Sequence, residues 1–297
     1  MTWWQAAILG LIQGLAEFLP ISSSGHLVLG EKLLETYAGL SAGDTSDVTF
    51  EVFVHFGTAL SILTVYRERI WRILRDAFGA LADAGAWRQA VRPGRIERAR
   101  GDELSYDPPE ASGGPVPSLR VALLVLVTMV PTFVGYVLFK DPLEELFGDV
   151  RFVCGALIVT GILLLLTRLR PDPDGVLSVP KAVLVGIAQT CALVPGISRS
   201  GSTICTAIYL NVDRKEAADF SFLMLLPVVL GATLLKTLDM VELGMTVGAV
   251  PLAVGTLVAF ASGVFAIRAV QVLVQRQSLQ YFAYYCFAVG GLGLFLT

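Results

Sequence analysis

Charge is scarce in this 297-residue sequence: 16% of its residues are Asp, Glu, Lys or Arg, against roughly 25% in an ordinary soluble domain. With 55% hydrophobic residues and a mean hydropathy of +0.69, such a surface cannot be kept in water, which excludes a soluble enzyme. A cationic excess is also missing. The net charge of -3 and the lack of a concentrated basic face exclude a nucleic-acid binder. Cysteine is scarce, and Cys154, Cys191, Cys205 and Cys286 lie far apart inside apolar stretches, as small buried hydrophobes do, rather than in a disulfide framework. The opening stretch MTWWQAAILGLIQGLAEFLP lacks the positive n-region and small-residue cleavage site of a signal peptide and carries Gln13 and Glu17 inside its apolar run. It is expected to be a working part of the mature protein.

What is present is apolar sequence in long runs. Uncharged stretches occur at Val52 to Tyr66, Val121 to Phe139, Phe152 to Thr167, Phe220 to Leu235, Leu243 to Ile267 and Gln277 to Thr297. With flanking residues that can snorkel they reach the roughly 20 residues needed to cross a bilayer, and lipid-exposed backbone must be helical. Six transmembrane helices are expected. Two further stretches differ, because a helix runs into Pro, Gly and a cluster of Ser and then resumes. Met1 to Ala16 leads into Glu17 through His26 and on to Leu27 to Leu34, and Ala182 to Val194 leads into Pro195 through Thr203 and on to Ile204 to Leu210. Proline removes an amide donor and blocks the preceding turn, and the freed groups can be satisfied only away from lipid. Both stretches read as re-entrant helical hairpins, over 1–35 and 181–211.

The hairpins match each other. A shift of 176 positions aligns Gly10, Gln13, Ala16, Ile21, Ser22, Ser24 and Gly25 with Gly186, Gln189, Ala192, Ile197, Ser198, Ser200 and Gly201 without a gap. The fold expected is therefore an all-α integral membrane protein forming a single membrane domain. Two repeats, 1–168 and 176–297, would each contain one hairpin and three spans. Three crossings per repeat is an odd number, so the second repeat is inverted. Cationic loops agree, since Lys and Arg accumulate on the cytoplasmic side. With the N-terminus outside, the inside loops 67–120, 168–181, 211–216 and 268–276 hold 17 of the 22 Lys and Arg. The 67–120 loop begins with an amphipathic stretch, RERIWRILRDAFGALADAG, suited to the membrane surface, and continues as a flexible connector with no assigned chemistry.

An ionisable residue at membrane depth is a functional hypothesis by default, because inserting it costs roughly 2.5–3.5 kcal/mol. Glu17, His26, Glu51, His55 and Arg199 qualify. If inverted hairpins enter from opposite faces, their tips meet near the midplane and Arg199 faces Glu17 and His26. A guanidinium flanked by Ser198, Ser200, Ser202 and Thr203, with Gly196 and Gly201 allowing close backbone approach, makes a cradle for phosphate oxygens, and the resuming helix adds its N-terminal dipole. Glu17 can act as base or metal ligand, and His26 can attack phosphorus or transfer a proton. Ser22, Ser23 and Ser24 suit either the broken backbone or the ligand. Glu51 suits an interfacial or a site carboxylate, and His55 a packed or a catalytic residue. Gln13 and Gln189, at matching positions, are suited to brace the breaks by hydrogen bonding.

The run from Gln13 through Glu17, Pro20 and Ser22-Ser23-Ser24-Gly25-His26, and the run Pro195-Gly-Ile-Ser-Arg199-Ser-Gly-Ser-Thr203, resemble the two signature motifs of the undecaprenyl-diphosphate phosphatase family, the integral-membrane type associated with bacitracin resistance. The resemblance extends over nearly the whole chain, including Phe50-Glu51 through Gly57 and Phe220 to Leu223. It implies a phosphoric anhydride hydrolase that converts undecaprenyl diphosphate to the monophosphate carrier of peptidoglycan synthesis. The site would open to the outer side of the bacterial cytoplasmic (inner) membrane. The resemblance also implies a divalent cation, Mg2+ or Ca2+, with Glu17 as its ligand. Family catalytic positions fall on Glu17, Ser23, His26, Ser198, Arg199 and Thr203. Ser22, Ser24, Ser200 and Gly201 join the phosphate-binding set, and Gln13, Glu51 and His55 support it. The family's opening position is Glu or Gln; with Gln13 here, Glu17 carries the carboxylate role alone. His26 is the first candidate nucleophile, with Ser23 or water open. The expected partners are a polyprenyl diphosphate and membrane lipids, with a homodimer left open. The rival reading is a transporter or flippase of lipid phosphates, since inverted repeats with broken helices are widespread in transporters.

Overall fold

The computed structural model describes residues 1–26, 28–29, 48–80, 116–170, 172–243 and 247–296, and every regular element among them is helical. In chain order these are α1 (Trp3–Ala16), α2 (Val48–Val65), α3 (Arg67–Gly79), α4 (Val116–Leu146) and α5 (Val150–Leu166), then α6 (Val179–Cys191), α7 (Arg199–Tyr209), α8 (Arg214–Leu243), α9 (Ala249–Gln275) and α10 (Gln280–Leu296). Local chemistry sets several of the starts. The Thr2 amide donates to the Gln5 side chain at the start of α1, Asp149 accepts from the Phe152 amide before α5, and Asp213 accepts from the Lys215 and Glu216 amides before α8. Each satisfies donors that a helix start otherwise leaves unpaired.

Four helical stretches are long and apolar enough to cross a bilayer: Ser118–Phe139, Val150–Leu169, Arg214–Leu234 and Ala249–Gln275. A fifth follows if α2 and α3, bent by 82° at Tyr66, count as one span. The chain is thus a multi-pass membrane protein. Six spans were expected; the sixth would be α10, whose 17 residues stand at the short end of the roughly 17–25 that cross a bilayer. Helices α1 and α6 have 14 and 13 residues, too few for the roughly 20 a crossing requires.

Three boundaries move. The stretch expected to start at Leu243 divides, with Leu243 ending α8 and the next helix running from Ala249 to Gln275. The 67–120 loop is helical at both ends, because α3 covers its amphipathic start and α4 already begins at Val116. Its middle, 81–115, lies outside the described residues, as does most of the expected 27–34 helix. Cys154, Cys205 and Cys286 are buried as expected, but Cys191 is exposed. It lies on the same face of α6 as the exposed Leu184 and Ile187, so a small hydrophobe there meets lipid instead of protein.

Small residues set the packing. A Cβ on Gly10 of α1 would stand 2.4 Å from the Gly255 carbonyl oxygen of α9, and one on Gly186 of α6 would stand 2.6 Å from Pro131 of α4. Lipid provides no hydrophobic drive between helices, so close backbone approach supplies the contact energy. The pairs α1/α9 and α6/α4 join equivalent positions of the two matched stretches to different long helices. The main buried cluster, including Phe18, Ile62, Leu164, Ile204, Phe222, Met224 and Ile267, lies between the two helix breaks and the long helices. Leu126, Val130, Phe133 and Val137 of α4 point outward, as a lipid-facing surface should.

Candidate active site

Both helix breaks are fastened by the same serine device. After α1 the chain turns through Pro20, and Ser22 adopts a left-handed φ of 68°. The Gly25 amide then donates to the Ser22 hydroxyl at 3.2 Å, with the Ser24 hydroxyl 3.2 Å away. After α6 the chain turns through Gly196, at φ 92°. The Gly201 amide donates to the Ser198 hydroxyl at 3.1 Å, with the Ser200 hydroxyl 3.4 Å away. Ser22 and Ser198 are thus helix N-caps.

The two breaks also touch each other. A Cβ on Gly25 would lie 3.2 Å from Gly196, and one on Gly201 would lie 3.4 Å from Pro20. Since 176 positions separate both Gly25 from Gly201 and Pro20 from Gly196, one contact is made twice with its partners exchanged. The Ser200 hydroxyl donates across the junction to the Leu19 carbonyl at 3.2 Å. Behind the second break, Thr160 of α5 donates to the Gly196 carbonyl and accepts from the Ser198 amide.

This meeting of breaks brings Arg199 to Glu17. Arg199 Nη2 donates to Glu17 Oε1 at 3.1 Å and to the Glu17 carbonyl at 3.3 Å. The two side chains are only 15% and 10% exposed. The second carboxylate oxygen, Oε2, accepts from the Ser23 hydroxyl at 3.3 Å and from Gln13 Nε2 at 3.1 Å. Arg199 Nη1 is buried and has no hydrogen-bond partner among the described residues. A buried charged donor left unpaired is expensive, so this nitrogen is suited to an acceptor that a ligand supplies. The pair borders a cavity of about 230 Å³ whose lining is polar at Glu17, Ser22, Ser23, Ser24, Ser198, Arg199 and Ser200 and apolar at Ala16, Phe147, Ala192, Leu193 and Ile197.

The remaining expected site residues sort themselves around this cavity. His55 Nδ1 lies 2.8 Å from the Glu51 carbonyl, which can only accept, so Nδ1 carries the proton and Nε2 accepts from Gln13 at 3.3 Å. Gln13 thereby donates to both Glu17 and His55 and joins them. Glu51 contributes its carbonyl to that chain at the start of α2. His26 does not reach Arg199. Its Nδ1 donates to the Ser22 carbonyl at 2.7 Å, and its Nε2 is hydrogen-bonded to the Tyr285 hydroxyl at 2.7 Å, with the two rings nearly parallel at 5.5 Å. Thr203 does not line the cavity. It bonds back to the Arg199 carbonyl and meets Ser221 of α8 at 2.6 Å. Gly201 gives its amide to Ser198 rather than to the cavity.

Sequence reasoning missed Tyr285, Thr160, Ser221 and Phe147. Tyr285, Thr160 and Phe147 sit in an apolar helix or at its end with no motif around them, whereas Ser221 lies in the Phe220 to Leu223 stretch of the resemblance, which gave it no role. Among the described residues no group of three or more His, Cys, Asp or Glu is placed to hold a metal. Among the described residues Glu17 is the only carboxylate lining the cavity. Its oxygens and the serine hydroxyls suit a hard cation whose other ligands come from a phosphate-bearing substrate and water, the usual arrangement for Mg2+.

The family model described as Bacitracin resistance protein BacA matches residues 6–292. The chain belongs to this family. It is 53% identical over 296 residues, all of both chains, to a protein of Salinibacter ruber named undecaprenyl-diphosphatase. Proteins of the same name from Parabacteroides distasonis and Methanobrevibacter smithii are 35% and 33% identical, over 98% and 96% of this chain and 97% and 94% of their own. Both helix breaks, the Glu17–Arg199 pair and Tyr285 lie within the family match.

Proposed function

We propose that this protein is a membrane phosphatase that removes the terminal phosphate of undecaprenyl diphosphate. On this reading it regenerates the monophosphate carrier for cell-wall synthesis and thereby supports bacitracin resistance. The observation that carries the reading is Arg199, which lines a serine-rich cavity and whose buried Nη1 has no partner among the described residues. The names of relatives that match the whole chain support the substrate. A cavity of about 230 Å³ is smaller than the roughly 300–1,000 Å³ of a pocket that engulfs a drug-sized ligand. It takes a headgroup and leaves a long prenyl tail in the lipid, reached past Phe147 and Leu193.

The geometry favours Ser23 over His26 as nucleophile, because Ser23 lines the cavity and already donates to Glu17, whereas both ring nitrogens of His26 are engaged. Glu17 takes the Ser23 proton as Oγ bonds to the terminal phosphorus and the bridging P–O bond breaks. The prenyl monophosphate leaves with the electron pair and receives that proton. Water then attacks the phosphoserine, with Glu17 accepting its proton and returning it to Ser23 as inorganic phosphate departs. Arg199 Nη1 and the Ser24 and Ser200 hydroxyls meet the oxygens on which charge accumulates. A divalent cation held by Glu17 and the substrate would neutralise diphosphate charge.

Two inverted repeats with re-entrant hairpins account for the exchanged Gly25–Gly196 and Gly201–Pro20 contacts, and the loop cations support placement in the bacterial cytoplasmic membrane with the site open to the outer side. The test is release of inorganic phosphate from a prenyl diphosphate by purified protein in detergent. Glu17→Ala and Arg199→Ala should abolish it. Leaflet exchange of lipid phosphates without phosphate release would overturn the reading in favour of transport.

A further inference from the structure

A second cavity, of about 340 Å³, lies at the corner between α2 and α3 and is lined by Thr64, Val65, Tyr66, Arg67, Glu68, Arg69, Arg72 and Arg268. It shares no lining residue with the catalytic cavity. Four guanidiniums face one lining carboxylate. Arg69 is fixed by Asp219 at 3.3 Å, which also accepts from Tyr66 and Gln271. Among the described residues Arg67 makes only an exposed 3.8 Å pair with Glu68, Arg72 donates to the Glu68 carbonyl, and Arg268 makes no ion pair. The cavity therefore carries excess positive charge on forked donors that suit phosphate oxygens.

Its surroundings decide the kind of anion. Helix α3 leaves α2 at 82° and exposes Trp71, Leu74 and Phe78. These residues are spaced as one stripe along a helix, while Ile70 and Ala77 pack inward against protein. An apolar stripe that continues from a membrane-spanning helix and runs at a right angle to it belongs in the boundary between headgroups and acyl chains. A soluble phosphate has no use for that stripe, whereas a lipid can lay its chains along Trp71, Leu74 and Phe78 while its phosphate enters the cavity. We propose that the Arg67/Arg69/Arg72/Arg268 cavity binds the headgroup of an anionic phospholipid, as basic pockets between membrane helices do. Bound there, the lipid bridges α3 to α9 through Arg72 and Arg268.

The test compares the full-length protein with an Arg72→Gln/Arg268→Gln variant, both in neutral detergent. Native mass spectrometry would follow retention of phosphatidylglycerol against phosphatidylcholine of the same acyl chains. Wild type should retain phosphatidylglycerol several-fold more and gain thermal stability from it; the variant should retain both lipids alike, gain none, and release phosphate from a prenyl diphosphate at the wild-type rate in detergent alone. Equal phosphatidylglycerol retention by both proteins would overturn the proposal. So would stabilisation by inorganic phosphate that the variant loses while its lipid retention is unchanged, which would assign the cavity to a free anion.

Discussion

Arg199 reaches Glu17 across 182 positions of sequence with one terminal nitrogen, and its other terminal nitrogen is buried without a partner among the described residues. The carboxylate holds the guanidinium in place while one fork of it stays available to a ligand. Lysine cannot do both, since its ammonium is a point charge without the planar fork. Arg199→Lys should therefore keep the fold and lose turnover by about 10²- to 10³-fold, the effect of removing one preorganised donor to developing charge. Phosphate release and thermal unfolding, measured together, check this; a loss of stability equal to the loss of activity would contradict it.

Ser23 and Glu17 form a hydroxyl–carboxylate pair at 3.3 Å. If Ser23 is the nucleophile, Ser23→Ala should lower the rate by about 10³-fold or more, given that nucleophile and base act as a unit. Rapid acid quenching of wild type should trap phosphate on Ser23. Phosphate trapped on His26 instead would return the role to the histidine.

His26 and Tyr285 share a 2.7 Å hydrogen bond, and His26 in turn holds the Ser22 carbonyl. Loss of that bond in Tyr285→Phe should cost about 0.5–1.5 kcal/mol, or roughly 2- to 12-fold in rate. His26→Ala should be more severe, and the double variant should be no worse than His26→Ala alone. Additive losses would mean that the two residues act independently.

Gln13 donates to both Glu17 and His55. A glutamate there would set two carboxylates side by side, a pairing relieved by a bound cation or by a proton. Gln13→Glu should therefore shift activation by Mg2+ to lower concentration and make activity more sensitive to chelator. An unchanged Mg2+ titration would remove Glu17 from the metal site.

At the α1/α9 contact, a methyl group on Gly10 would stand 2.4 Å from a backbone oxygen that cannot step aside. Gly10→Ala should destabilise the protein by about 1–3 kcal/mol, as overpacking does, visible as a lower unfolding temperature in detergent. Gly291→Ala, where a Cβ would meet nothing within 4 Å, is the matched control.

Composition and local pattern determined much of this protein. The low charge and long apolar runs specify membrane helices, because hydrocarbon accepts no unpaired backbone. The Pro, Gly and Ser clusters mark the two breaks, and the 176-position match pairs them. The isolated arginine at Arg199 points to an anion. Each of these is a property of a residue and its neighbours along the chain. Only the tertiary structure decided which side chains complete the site. Ser22 and Ser198, alike in sequence to any phosphate-binding serine, prove to cap helices, and Thr203 turns to Ser221 on α8. His26 was expected beside Arg199 and instead bonds Tyr285, 259 positions away. Such choices depend on which groups remain unsatisfied once distant helices pack. A serine beside a helix start finds a backbone amide within reach before any ligand arrives, whereas Arg199 meets one carboxylate and keeps a donor to spare.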